Sequence, residues 1–141
     1  EVILAGRNVN NNIGNFIASK VVELIKKKGI RIKDSNSLIL GITYKENCND
    51  IRNSKVHDIF HSLKSYGINV DIHDPLANPE EVYNEYNIRL KKEPAKYEAI
   101  ILAVPHDIFL KQEINRFKSR KDSVIYDVKS VLTKKEIDGR L

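Results

Sequence analysis

The first thirty residues carry apolar side chains at spacings of three and four, the pattern of one helical face. The stripe consists of Val9, Ile13, Ile17, Val21, Leu24 and Ile25, with Phe16 alongside. Three lysines fill the last turn, and Gly29 can form a left-handed C-terminal cap. We predict one long helix over residues 1–30, which joins this domain to a preceding one instead of covering a sheet.

From residue 36 onward, short apolar runs alternate with helical stripes. Strands are predicted at 37–42, 68–73, 99–104 and 123–127. Helices are predicted after residue 53, from Asn78-Pro79, and over 107–117, whereas the tail from Thr133 is expected to form one or two helical turns. Strands that alternate with helices indicate parallel βαβ units. The predicted fold is therefore α/β, a Rossmann-like doubly wound parallel sheet preceded by a long connecting helix.

Composition narrows the class of protein. The chain has 141 residues, a net charge of +5, a single cysteine and no methionine. One cysteine excludes a disulfide scaffold, and neither a signal peptide nor a long apolar span is present in the sequence, so we expect a cytoplasmic protein with no membrane partner. The charges are interspersed instead of gathered on one face, which argues against a nucleic-acid partner. Because the chain begins at Glu1 and lacks Met, we expect a piece of a longer polypeptide.

The ligand of an open parallel sheet binds at the carboxyl ends of the strands, where the strand order reverses. Three loops should meet there, and they carry Lys45, Arg52 and Lys129. Convergent cations suit an anionic ligand such as a phosphate, although solvated loop charges are an equal alternative. The sequence contains neither G-x-G-x-x-G nor G-x-x-x-x-G-K-[ST]. We therefore expect side chains, not a glycine turn, to hold the ligand.

The segment after the first predicted strand is distinctive. Residues 41–56 read GITYKENCNDIRNSKV, followed by VDIHDP at 70–75, YEAIILAVPH at 97–106 and YDVK at 126–129. In order and spacing these segments resemble the UDP-binding C-terminal domain of the UDP-glucose/GDP-mannose dehydrogenase family, most closely its UDP-N-acetylhexosamine branch. Upstream, AGRNVN at 5–10 resembles the start of the family's central helix.

The resemblance implies an NAD-dependent oxidation of a sugar C6 alcohol to a carboxylate, in nucleotide-sugar metabolism for polysaccharide biosynthesis. Tyr44, Lys45 and Lys129 would contact the UDP-sugar, and Arg52 would reach NAD held mainly by another domain. The catalytic cysteine is expected upstream of Glu1, so this fragment alone would be inactive. No catalytic residue and no metal ligand is assigned within it.

The resemblance also implies a domain organisation. Residues 1–30 would be the C-terminal part of a central dimerisation helix, and residues 36–141 the UDP-sugar-binding domain. A homodimer through the N-terminal helix is expected. The chain departs from its relatives at Asn8, where a second Arg is common, and at Asn49, where Pro is common. Neither departure changes the spacing between the candidate site residues.

Several reactive side chains are discounted. Cys48 is the only thiol, but nothing near it in sequence looks like a base, so we interpret it as a loop-packing residue. His57 and His61 are four residues apart, yet Asp replaces the Glu of a metalloprotease motif. For His106 a ligand contact and a capping or solvent role both remain open. The alternative function is a stand-alone phosphate-binding module without catalysis, although a receiver-like module would place acidic residues where Tyr44 and Lys45 lie.

Overall fold

In the described part of the chain, four strands alternate with helices, and a short fifth strand follows the last of them. A computed structural model describes the backbone of residues 2–141 and the side chains of residues 13–141. The elements are α1 (Val2–Lys27), β1 (Asn36–Leu40), α2 (Val56–Ser65), β2 (Asn69–His73), α3 (Pro79–Tyr86), β3 (Ala99–Leu102), α4 (Asp107–Leu110), a 3-10 helix (Ile114–Phe117), β4 (Val124–Asp127) and β5 (Gly139–Arg140).

The strands form one parallel sheet in the order β2-β1-β3-β4-β5. In its register Leu40 of β1 lies opposite His73 of β2 and Leu102 of β3. The chain thus moves to one side of β1 for β2 and to the other side for β3, so the order reverses between β1 and β3. The predicted doubly wound parallel sheet and the predicted position of its switch point are both confirmed.

Each face of the sheet has its own apolar core, which explains why the central strands are apolar throughout. Alternate residues such as Ile39, Ile101 and Tyr126 face a core shared with α1, α2 and α3. The residues between them, such as Leu40 and Ile100, face a smaller core that α4 and the 3-10 helix complete. The result is a three-layer α/β/α arrangement whose strand ends remain accessible at one edge.

Helix α1 covers the sheet, contrary to our prediction that it would only connect domains. From Ile17 onward its buried face packs against α2 and β4, because Ala18 and Val22 extend the apolar stripe. The helix itself ends at Lys27, and Gly29 forms the predicted left-handed cap, with φ +74° and its N–H donated to the Lys26 carbonyl. Val9 of the predicted stripe and the segment 5–10 lie outside the residues whose side chains are described.

Two other predictions need correction. The tail does not form helical turns from Thr133 to its end, because Gly139 pairs in parallel with Tyr126 and makes the short strand β5. The predicted helix over 107–117 is divided into α4 and the 3-10 helix, separated by Lys111–Glu113. Both apolar stripes of that segment still reach the smaller core through Phe109 and Phe117.

Candidate functional site

A cavity of about 370 Å³ opens at the carboxyl edge of the sheet, beside the switch point. The loops after β1, β3 and β4 contribute to its walls, as do the start of α2 and one face of α1. Its lining includes Ile13, Ile17, Thr43, Tyr44, Asn53, Ser54, Lys55, Val56, Ala103, Val104, Val128 and Lys129. The walls are mainly apolar with lysines among them, a combination suited to an organic anion.

The structure separates the predicted cations. Tyr44 and Lys129 line the cavity at the switch point, and the Tyr44 side chain is 58% exposed. Arg52 lines a second, larger cavity of about 560 Å³ on the α3 side of the same loop. Lys45 is exposed on the loop between them. The prediction that all three cations share one crevice is therefore wrong, because Arg52 faces a different space.

Arg52 is held by a neighbour in the same loop. Its Nε and Nη2 atoms each donate to the carboxylate of Asp50 at 3.0 Å, and its backbone N–H donates to the same carboxylate at 2.9 Å. These contacts with the guanidinium and the amide of Arg52 lower the pKa of Asp50 to about 2. Asp50 therefore keeps its charge at neutral pH, and an anion that binds Arg52 has to share the guanidinium with it.

The turn after β1 cannot cradle a pyrophosphate through its backbone. The Ile42 and Thr43 amides donate to Asp74 Oδ2 at 2.7 and 3.3 Å, and the Tyr44 amide donates to the Asp50 carbonyl at 2.6 Å. A dinucleotide-binding turn needs such amides free to face the phosphates. These three amides therefore do not fit the pyrophosphate of NAD, which agrees with the missing glycine motif.

A buried polar cluster supports this turn from below. Thr43, Asp74 and His106 are each less than 5% exposed, and they follow β1, β2 and β3 respectively. Burial alone would raise the pKa of Asp74, but hydrogen bonds from His106 and from the Ile42 and Leu76 amides outweigh it and lower the pKa. For His106, complete burial conflicts with a ligand contact and with a solvent role. The capping alternative agrees with its position as the N-cap residue of α4, where its backbone carbonyl accepts from the Phe109 and Leu110 amides.

The sequence reasoning missed Asp74 and Thr43 as members of one cluster. Asp74 stood only as half of a strand-breaking Asp-Pro pair, and Thr43 as the start of a loop. The available signal was positional, because both residues directly follow predicted strands at the same edge of the sheet as His106. Three polar residues at three adjacent strand ends would have predicted a contact.

The other discounted side chains form no reactive group. Cys48 is partly exposed, and its thiol contacts the Lys45 carbonyl. His57 stacks on Tyr86 with ring centroids 4.7 Å apart, while His61 is exposed. Among the residues whose side chains are described, no group of three His, Cys, Asp or Glu residues could hold a metal ion. In the part of the chain that the structure describes, no helix has the length and apolarity to cross a membrane.

The sheet order and the position of the cavity define the class of the domain. A parallel sheet of order β2-β1-β3-β4-β5, helices on both faces and a cavity at the switch point make it a Rossmann-like doubly wound α/β domain. The occupied turn after β1 sets it apart from domains that hold a dinucleotide on a glycine-rich turn.

The chain belongs to the UDP-glucose/GDP-mannose dehydrogenase family, whose UDP binding domain matches residues 38–134. It is 43% identical to a UDP-N-acetyl-D-glucosamine 6-dehydrogenase of Salmonella typhi and 39% identical to one of Pseudomonas aeruginosa, in each case over 100% of this chain and 34% of the relative. Protein CapL of Staphylococcus aureus is 35% identical, over 98% of this chain and 33% of CapL. The chain thus spans about a third of the length of these relatives.

Solved structures share the fold at low sequence identity. An NDP-N-acetyl-D-galactosaminuronic acid dehydrogenase of Methanosarcina mazei superposes with a TM-score of 0.79 at 18% identity, over 96% of this chain and 29% of that one. A UDP-D-ManNAc dehydrogenase of Pyrococcus horikoshii gives 0.74 at 19% identity, over 95% and 31%. These structures support the doubly wound fold, including the helix that precedes β1.

Proposed function

We propose that this chain is the nucleotide-sugar-binding part of an NAD-dependent UDP-N-acetylhexosamine 6-dehydrogenase, which oxidises the C6 alcohol to a carboxylate. The observation that carries the proposal is the cavity at the switch point, where Tyr44 and Lys129 lie together in a domain of the UDP-binding family. The names of the relatives, UDP-N-acetyl-D-glucosamine 6-dehydrogenases, favour an N-acetylhexosamine over glucose as the sugar.

Each candidate residue has a distinct part in this proposal. Lys129 neutralises the diphosphate from within the cavity, and Tyr44 supplies a ring against which the sugar or nucleoside packs. Lys45, exposed on the same loop, provides a second point charge that meets the substrate from the open side. We assign these contacts to the side chains, because the Ile42, Thr43 and Tyr44 amides already have acceptors within the domain.

Arg52 faces away from this cavity, which supports a different partner for it. A guanidinium that is 80% exposed in its side chain and paired with one carboxylate has donors left for a phosphate. We assign it a contact with NAD, and we place most of the NAD site in other parts of the enzyme, because the turn after β1 offers the pyrophosphate no backbone cradle. NAD supplies the hydride acceptor; the chain's own residues bind and orient the substrate.

We also propose residues 1–30 as the end of a central helix and residues 36–141 as the UDP-sugar-binding domain, and we place the enzyme in the cytoplasm. Ile13 and Phe16, which lie on α1, are 44% and 48% exposed although both are apolar. Exposed apolar side chains on one helix suit a second copy of the same helix, which supports a homodimer through α1.

The first test is a calorimetric titration of the chain with UDP. The wild-type chain should bind UDP, and K129A should weaken binding about tenfold to a hundredfold, because a charged hydrogen bond contributes about 1.5–3 kcal/mol. K134A, which removes an exposed lysine of the tail, is the matched control and should bind as the wild type does. Equal affinities of K129A and the wild type would exclude Lys129 from the site.

The second test concerns the reaction. The chain is joined to the preceding part of its own enzyme, and NADH formation is followed with UDP-GlcNAc, UDP-GalNAc, UDP-ManNAc and UDP-glucose. We expect turnover with at least one N-acetylhexosamine. No turnover with any nucleotide sugar would refute the dehydrogenase, and UDP binding without turnover would favour the alternative of a stand-alone binding module.

A further inference from the structure

The loop that follows β1 is fixed to the buried cluster at two points. The Thr43 hydroxyl donates to the carbonyl of Lys45 at 2.9 Å, and the amide of Asn47 donates to Nδ1 of His106 at 2.9 Å. The Asn47 side chain in turn accepts from the Asp107 amide at 2.9 Å. The backbone on either side of Glu46 is thereby tied to buried groups, although residues 44–47 are exposed.

The hydrogen bonds determine the tautomer of His106. Because Nδ1 accepts from the Asn47 amide, the proton of the imidazole ring is on Nε2. Nε2 lies 3.0 Å from Asp74 Oδ2 and 3.2 Å from the Thr43 hydroxyl. The imidazole therefore donates to the carboxylate with one nitrogen and accepts from the loop with the other. Asp74 also binds the Ile42 and Leu76 amides, so its position does not depend on His106 alone.

The Asn47 amide donates to the imidazole of His106, a side chain that belongs to the buried cluster. Asn47 has φ +60°, a left-handed conformation that asparagine adopts more readily than most residues, and this turns its amide toward His106. His106 is completely buried and cannot follow a moving loop. The imidazole is thus a rigid anchor placed under an exposed segment whose neighbours carry Tyr44 and Lys45.

We infer that His106 is a positioning residue, which holds the 44–47 segment through its Nδ1 and so sets where Tyr44 and Lys45 stand before substrate arrives. The inference rests on the proposed function for its consequence, namely tighter nucleotide binding. The hydrogen bond that holds the loop does not depend on that function. A loop ordered in advance loses less conformational entropy on binding, so the anchor raises affinity without contacting the ligand.

Two substitutions separate the two nitrogens of the ring. H106N places its amide oxygen near the position of Nδ1 and keeps an acceptor for Asn47, whereas H106Q extends toward Nε2 and keeps the donor to Asp74. Both remove one hydrogen bond and retain a polar side chain, so they serve as matched controls for each other. Hydrogen exchange of the Asn47 amide, followed by NMR on the ¹⁵N-labelled chain, reports the anchor without any nucleotide.

In the wild-type chain we expect the Asn47 amide to exchange slowly, despite its exposed loop. H106Q should speed the exchange of this amide about tenfold, the effect of losing one ordinary hydrogen bond, and should weaken UDP binding by a similar factor. H106N should change the exchange rate and the affinity much less. Fast exchange in the wild type, or equal effects of the two variants, would overturn the inference. If the exchange rates are as expected but the chain does not bind UDP, the proposed function is contradicted and the positioning role of His106 is supported.

Discussion

Gly14 of α1 packs directly against Asp58 and Ile59 of α2, and its replacement by alanine tests this packing. A Cβ atom at this position would lie 2.6 Å from the Cβ of Asp58 and 3.0 Å from its carbonyl carbon. Ordinary contacts begin at 3.4 Å, so α1 and α2 would have to separate by about 0.8 Å. The opposing atoms belong partly to the backbone of α2, and no flexible side chain can yield.

Two effects of opposite sign decide the result. Within a helix, Gly to Ala stabilises by about 1 kcal/mol through the unfolded chain and helix propensity. Overpacking costs about 1–3 kcal/mol, and contact with backbone places Gly14 in the middle of that range. We expect G14A to lower the free energy of unfolding by about 1 kcal/mol. N15A, an exposed position in the same helical turn, should instead raise it by about 0.5 kcal/mol.

Urea unfolding followed by far-ultraviolet circular dichroism measures both variants, and an unchanged slope with denaturant keeps the comparison valid. The reasoning is refuted if G14A stabilises the chain as N15A does, because helix propensity would then outweigh the contact with Asp58. G14A should also weaken UDP binding, because Ile13 and Ile17, which lie on the same helix as Gly14, line the cavity.

Two tyrosines give further expectations. Burial and a hydrogen bond to Asp71 raise the pKa of Tyr97 to about 12. The unfolded chain releases this proton near pH 10, so the free energy of unfolding that is present below pH 10 should fall between pH 10 and 12. In urea titrations over that pH range, Y97F should lose less of it than the wild type does. The hydroxyl of Tyr86 donates to the Ile51 carbonyl. Y86F should therefore lower the free energy of unfolding by about 1 kcal/mol, whereas Y83F, exposed on the same helix, should leave it unchanged; equal effects would contradict the role of that bond.

The sheet could be predicted from the sequence because its signals are local. The run around Ile39 and the run around Ile101 are buried on both faces, and uninterrupted apolar residues are the direct consequence. The cap at Asn78 could be predicted for the same reason, since its side chain accepts from the Glu80 and Glu81 amides only two and three residues away.

Features that depend on distant contacts could not be predicted in the same way. The burial of α1 against α2 depends on Gly14 and Ala18, small residues that carry no apolar signal in a periodicity count. The direction of Arg52 depends on Asp50, which holds the guanidinium toward α3. Residues at adjacent strand ends can be assigned to one edge from the sequence, but which cavity each side chain enters is set by such neighbours.

The short strand β5 leaves part of β4 without a partner strand. Its two residues pair with only half of β4, and the amide of Ile125 beyond them donates to the carboxylate of Asp138 at 2.8 Å. Lys28, at the end of α1, forms an ion pair with the same carboxylate. The Ile125 residue is buried and β5 is too short to reach it, so its amide needs the Asp138 carboxylate as acceptor. Asp138 thus lets a strand of two residues complete this side of the sheet, and it fastens the end of the first helix to that strand.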